Sequence, residues 1–217
     1  MNDFADSYVL FDLETTGLST TDDSVVEISA IKVIDGVTTG EFSTLVNPGK
    51  HIPDYVSCIH GITDDMVSDA PSMEEALRDF IDFIGDLVLV GHNIKRFDMG
   101  FIQRDAVRYF GEPLTNGIVD TLCLSRRYLP DLPSHSLGAL ADHYNVSYEG
   151  AHRALVDCRI NKQVYDKLAK EAENPSEAAK NVPVCPLCGN ILKKRRGKFG
   201  EFWGFTGFPD CRYTRDC

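Results

Sequence analysis

The sequence predicts an α/β fold in which helices flank a mixed sheet, followed by a small separate C-terminal module. Three observations carry this. Apolar strand-like runs come first, and later strands mix with amphipathic helical stretches, the order of an α/β layer. Asp35-Gly36 falls between two such runs, a strong two-residue hairpin signal. A polar stretch with two prolines then gives way to a tail rich in Gly, Cys and aromatic residues without helical period.

In order, "SYVLFDLE" reads as a buried strand, closed by the turn-rich "TTGLSTTDD". "VVEISAIKVIDGVTTGEFSTLVNP" reads as the hairpin. "SMEEALRDFIDFIG" is an amphipathic helix with Ser72 as candidate N-cap and apolar positions at Leu77, Phe80, Ile81 and Ile84. "LVLVGHN" is a short strand leading into the helix "RFDMGFIQRDAVRYF", which Gly111 ends. "GIVDTL" is another short strand. "SLGALADHYN" and "RALVDCRINKQVYDKLAKEAE" are the last two helices, and "ENPSEAAKNVP" reads as a linker.

The 217 residues suffice for one sizeable domain and a small module, and a hydrophobic content of 43% suits a real core. No run of 18 apolar residues occurs, and the N-terminal residues are acidic, without the pattern of a signal peptide. A cytoplasmic protein with no membrane partner is the expectation. Cys58, Cys123 and Cys158 are scattered and read as small buried side chains. Cys185, Cys188, Cys211 and Cys217 crowd the tail and read as metal ligands before disulfides. The net charge of −11 hides an asymmetry: residues 181–217 hold seven Lys/Arg against three acids, the rest 15 against 30.

Residues two apart on a strand share a face, so Asp12 and Glu14 point the same way. Two adjacent carboxylates repel, and a hard divalent cation with oxygen ligands is their natural neutraliser. Alone, the pair reads first as a solvent-exposed strand end with two ordinary acids. It is accompanied, however, by Asp98 near a helix start after a buried strand, and by His152 and Asp157 around the start of the last long helix. Strand ends and helix starts at one edge of an α/β sheet are where sites are built. Individually, Asp98 could serve a helix N-terminus and Asp157 could pair with Arg153 one turn away.

Together, "FDLETTGL", "IHGITDDMV", "GHNIKRFDMGFI" and "HRALVDC" resemble, in order and spacing, a DEDDh 3′–5′ exonuclease of the ribonuclease H-like superfamily, close to the proofreading subunits of bacterial replicative polymerases. The resemblance runs from residue 7 to about residue 170 and implies a mixed five-stranded sheet flanked by helices. All five residues it requires are present: Asp12, Glu14, Asp98, His152 and Asp157. It implies two Mg²⁺ or Mn²⁺ ions about 4 Å apart at the scissile phosphate. Asp12 would bridge them, Glu14 and Asp157 would complete one site, Asp98 would support, and His152 would be general base. It also implies substrate contacts by Thr15 and Gly17 through the turn backbone, by Leu18 against the terminal base, and by His60 in the same cleft. For Leu18 and His60, plain loop packing is the rival reading.

The tail "CPLCGNILKKRRGKFGEFWGFTGFPDCRYT" resembles the small zinc ribbon at the C-terminus of bacterial type IA topoisomerases, with one departure: Phe205 stands where the third cysteine would fall. Cys217 could replace it as fourth ligand of one Zn²⁺, beside Cys185, Cys188 and Cys211, and a metal-free ribbon held by aromatics is the alternative. Lys193, Lys194, Arg195, Arg196 and Trp203 suit single-stranded nucleic acid, cations tracking phosphate and rings stacking on bases. The rival reading makes the aromatics the module's core and "KKRRGK" a solubilising turn; the charge contrast with the acidic body favours nucleic acid. The expected organisation is an exonuclease domain at 1–172, a linker at 173–182 and a zinc-ribbon-like module at 183–217. The expected activity is release of nucleoside 5′-monophosphates from single-stranded or frayed DNA 3′ ends in repair or proofreading, with a DNA polymerase as a possible partner. RNA trimming, and a non-enzymatic adaptor docked on a polymerase or helicase, are the rival functions.

Overall fold

The computed structural model describes residues 3–186, 191–198, 200–205 and 213–216. Its larger sheet has the order β3-β2-β1-β4-β5, formed by β1 (Tyr8–Thr15), β2 (Val25–Ile34), β3 (Val37–Leu45), β4 (Val88–Gly91) and β5 (Ile118–Asp120). The first three strands are antiparallel neighbours, while β1, β4 and β5 run parallel, so the sheet is mixed as expected. Asp35 and Gly36 both take positive φ (48° and 77°) at the β2–β3 turn, which gives the hairpin its tight reversal.

The helices are α1 (Asp54–His60), α2 (Asp64–Val67), α3 (Met73–Ile84), α4 (Asp98–Phe110), α5 (Thr121–Tyr128), α6 (Leu137–Tyr144), α7 (Ala154–Glu173) and α8 (Glu177–Lys180). Ser72 caps α3 in a full capping box with Glu75, and Gly111 closes α4 in the left-handed conformation. Four helices differ from the sequence reading. The segment around α1 and α2 carries only short turns of helix. Thr121-Leu122, expected as the end of a strand, opens α5, because the Asp120 carboxylate accepts from the Leu122 and Cys123 N–H groups and caps a helix there. The expected linker contains α8, whose cap is Ser176 and whose Ala179 is buried. Cys58, expected buried, is exposed, whereas Cys158 is buried and Cys123 half-buried.

Alternation along β1 divides the core. Val9, Phe11 and Leu13 pack with Leu77, Phe80, Ile84, Phe101 and Ile102, under α3 and α4. Tyr8 and Leu10 face the other way, against Val164, Tyr165 and Leu168 of α7. Asp12 and Glu14 continue the α7-facing row, which aims both carboxylates at that helix. No helix among the described residues is long and apolar enough to cross a membrane. The tail forms a second, antiparallel sheet of β6 (Leu192–Gly197), β7 (Gly200–Phe205) and β8 (Thr214–Asp216). Cys185 and Leu192 are buried there, with Trp203 and Tyr213 packed on them.

Phe80 is fully buried, with its ring 5.1 Å from that of Phe11 and 6.0 Å from that of Phe42. Phe80→Ala is expected to cost about 3–5 kcal/mol, read from the urea unfolding midpoint at constant slope; a change below about 1 kcal/mol would mean that α3 does not brace β1.

Candidate active site

β4 pairs with β1 only over Tyr8–Leu10, so the last five residues of β1 run on beyond it with one side unpaired. A register shift between Glu14 and Thr15 ends the strand in a bulge, a common device for re-aiming side chains beside sites. Carboxylate oxygens of Asp12, Glu14 and Asp157 come within 4.8 Å of one another. Asp157 lies in the first turn of α7 and its Oδ2 accepts the His152 N–H at 3.0 Å. Asp98, the first residue of α4, is 2% exposed and takes up the N–H of Leu13 from the open side of β1.

Like charges under burial resist ionisation. Burial pushes the Asp12 carboxyl well up, and the carboxylates of Asp98, Glu14, Asp157 and Glu27 add to it. Burial, then Asp157, Glu27 and Asp98, bring Glu14 to about 8, while Arg153 pulls it down. Asp98 is raised to about 8, mainly by burial. Asp157 is raised by burial against the opposing His152 N–H.

Metal ions fit this cluster on the structure's own terms. Asp98 Oδ1 and Asp157 Oδ1 are buried without a hydrogen-bond partner, a costly state that a cation relieves. The donor set is all oxygen, which suits Mg²⁺ or Mn²⁺ rather than a thiolate-seeking metal.

The other expected residues fall in two groups. His152 has an exposed side chain and a left-handed backbone, φ 66°, with its ring edge-on to Tyr148 at 6.2 Å between centroids. The Thr15 hydroxyl is buried and donates to the Gly17 carbonyl at 2.6 Å, so only backbone is offered outward there. Leu18 is 85% exposed. His60 is buried, and its Nδ1 accepts the Ile62 N–H at 3.0 Å, which leaves the proton on Nε2; that atom has no completed hydrogen bond. Lys193, Lys194, Arg195 and Arg196 are exposed along β6, on the smaller sheet. Trp203 is half-buried on the module's core, with Lys194 Nζ 5.6 Å from its ring centroid, so part of its face is already covered. Of the tail cysteines, Cys185 is buried; Cys188, Cys211 and Cys217 lie outside the described residues.

The sequence reading missed Glu27 and Asp120 and offered Arg153 a different partner. Glu27 sits directly across from Glu14 on β2 and is 3% exposed. It accepts from Arg153 Nη2 at 2.8 Å, Arg153 Nε at 3.3 Å and the Ala154 N–H at 3.1 Å. Arg153 therefore serves Glu27, not Asp157, and the pair pins the start of α7 to the sheet. An acid within the apolar run "VVEISAI" was the available signal. Asp120 accepts the Asn93 and Lys95 N–H groups at 3.1 and 3.3 Å and so fixes the loop that delivers Asp98.

These raised carboxyls make the metal-free fold pH-sensitive. Between the ordinary glutamate value of 4.5 and about 8, the folded state keeps a proton on Glu14 that the unfolded chain has released, so stability falls as pH rises through that window. In EDTA, the Tm advantage of Glu14→Gln over the native chain is expected to grow from pH 5 to pH 8, and Mg²⁺ to raise the native Tm most at the upper end. A pH-independent difference would show that the Glu14 carboxyl is not raised.

A family model described as Exonuclease matches residues 9–165, and one described as Topoisomerase DNA binding C4 zinc finger matches residues 182–217. The chain is 39% identical over 165 residues to a DNA polymerase III PolC-type of Staphylococcus haemolyticus, and 40% identical over 161 residues to that of Clostridium perfringens. These alignments take in 76% and 74% of this chain but only 11% of each polymerase. A solved structure of exonuclease X in complex with 5′ overhanging duplex DNA matches with a TM-score of 0.60 at 28% identity, over 79% of this chain and 99% of that one. Exonuclease I of E. coli in complex with a dT13 oligonucleotide shares the fold, with a TM-score of 0.69 at 17% identity over 96% of this chain and 54% of the other. With the acidic cluster inside the matched span, the chain belongs to the exonuclease family.

Proposed function

We propose that the protein is a divalent-metal-dependent 3′–5′ exonuclease that releases nucleoside 5′-monophosphates from single-stranded or frayed DNA 3′ ends, in repair or proofreading. Its organisation is a catalytic domain at 1–172, a connecting segment at 173–182 and a tethering ribbon at 183–217. The observation that carries the reading is the convergence of Asp12, Glu14 and Asp157 within 4.8 Å in a chain of the exonuclease family.

Asp12, Glu14 and Asp157 would hold Mg²⁺ or Mn²⁺, with Asp98 in support. Bound there, the ions supply positive charge for the scissile phosphate and acidify a water molecule. His152 accepts the nucleophile's proton. Its position is fixed by its own backbone, since the His152 N–H is tied to Asp157 and the next two residues to Glu27. A left-handed histidine costs about 1–3 kcal/mol and persists only where neighbours over-determine it. The Thr15–Gly17 turn presents backbone to the terminal nucleotide, and the exposed Leu18 packs on its base. The preference for DNA rests on the polymerase relatives, the DNA-bound exonuclease X and the topoisomerase-type tail. The exposed cations of β6 grip phosphates that the acidic body repels. A replicative polymerase is the partner these relatives suggest.

A 5′-labelled single-stranded DNA is expected to shorten stepwise from its 3′ end in Mg²⁺ and to remain intact in EDTA. Asp12→Ala or Asp157→Ala should abolish the reaction, and His152→Ala should slow it about a hundredfold; near-native rates in all three would sink the mechanism, and faster shortening of matched RNA would move the substrate class. Replacing Lys193, Lys194, Arg195 and Arg196 by Gln should flatten the salt dependence of single-strand binding by about 0.7 in log–log slope for each phosphate that is no longer neutralised. An unchanged slope would remove the tether.

A further inference from the structure

We infer that Arg104, braced by the buried Asp105, is a positioning residue that holds the loop carrying Leu18 and thereby sets how tightly a 3′-terminal nucleotide is gripped; the inference rests on the exonuclease reading above. The loop in question, residues 16–24, leaves the site directly after β1 and lies on α4, the helix that begins with Asp98. A Cβ at Gly100 of α4 would fall 2.6 Å from Thr20 Cγ2, so helix and loop are in close contact.

Arg104 is used from all three nitrogens. Nε and Nη2 donate to Asp105 Oδ1 and Oδ2 at 2.9 and 2.7 Å, a two-pronged pairing with a carboxylate only 2% exposed. Nη1 donates to the backbone carbonyls of Thr20 and Asp23, at 2.6 and 2.8 Å. The planar guanidinium is thus oriented from behind by Asp105 and crosses more than eighty residues of sequence to grip the loop. Asp23 completes the clamp from inside: its carboxylate accepts from Thr16 Oγ1 at 3.1 Å and from the Ser19 N–H at 2.9 Å, with Lys50 Nζ 3.8 Å away. Lys50 also donates to the Asp22 carbonyl. Gly17 sits against that carboxylate so closely that a Cβ would lie 2.4 Å from Asp23 Oδ2.

The residue displayed by this bonded loop is Leu18, 85% exposed. A large apolar side chain held in water on a rigid support is placed for a ligand, because the ordering entropy is spent before binding. Loosening the loop therefore acts on binding through Leu18, while the carboxylate cluster, which is held by other hydrogen bonds, keeps its geometry.

The test uses Arg104→Lys, which keeps a cation opposite the buried Asp105 but lacks the planar fork, together with Leu18→Ala and the double variant, all in the full chain. Arg104→Lys is expected to raise KM for a single-stranded DNA 3′ end about tenfold, with kcat unchanged. In the Leu18→Ala background the same substitution should add less than about twofold, since coupled residues fail to add. Amide hydrogen exchange across residues 16–24 should quicken in Arg104→Lys, a readout that needs no activity. Native KM in Arg104→Lys, full multiplication of the two effects, a loss of kcat alone, or unchanged exchange would each overturn the inference. A native chain that degrades nothing while the loop exchange still quickens would instead count against the exonuclease reading.

Discussion

Mutual repulsion among buried and half-buried carboxylates is the constraint from which the rest of this structure follows. Asp12, Glu14, Asp98, Asp157 and Glu27 all bear on one strand end, and the last four each raise the proton affinity of Asp12. Only Glu27 among these five has a full counter-charge, in Arg153. Asp98 and Asp157 are restrained by backbone dipoles, the Leu13 N–H on Asp98 and the His152 N–H on Asp157. Such restraint keeps the carboxylates in place without neutralising them, which preserves their demand for a cation. Strain of this sort is sustained by stability elsewhere, and the aromatic packing of Phe11, Phe42 and Phe80 behind β1 is where it is found.

The sheet explains why so few residues need to be special. β1 is central, antiparallel to β2 and parallel to β4, so its end is flanked on one side by an opposing strand and on the other by no strand. The opposing strand supplies Glu27, and the open side admits the first turn of α4. A wholly parallel sheet would bring a strand end to that first position and leave no place for an acid that pins a helix from across the ladder.

Much of this was legible in the sequence, and the limits are physical. Alternation on a strand placed Asp12 and Glu14 on one face, and helix starts close to Asp98 and Asp157 followed from local punctuation. The Ser72 capping box and the Asp35-Gly36 turn are likewise local. The long-range roles of Glu27, Asp120 and Arg104 were not legible, because the partners concerned lie 25 to 127 residues away and no periodicity links them. The helices α1, α2, α5 and α8 have eight residues or fewer, which leaves little periodic signal; Asp120 and Ser176 cap α5 and α8, and α1 and α2 are held by packing of Val56 and Val67. His60 is buried and Trp203 half-buried, degrees of burial that residue type alone does not reveal.

The pairing of Glu27 with Arg153 spans 126 positions, so the two ends of the catalytic span must meet before the site exists. During synthesis the strands and α4 emerge first, carrying four of the acids, while His152 and Asp157 arrive late. An incomplete chain therefore holds an acidic strand end with no helix to close it. The contact order that slows folding also delays assembly of the acidic cluster until nearly the whole span matched by the exonuclease family has been made.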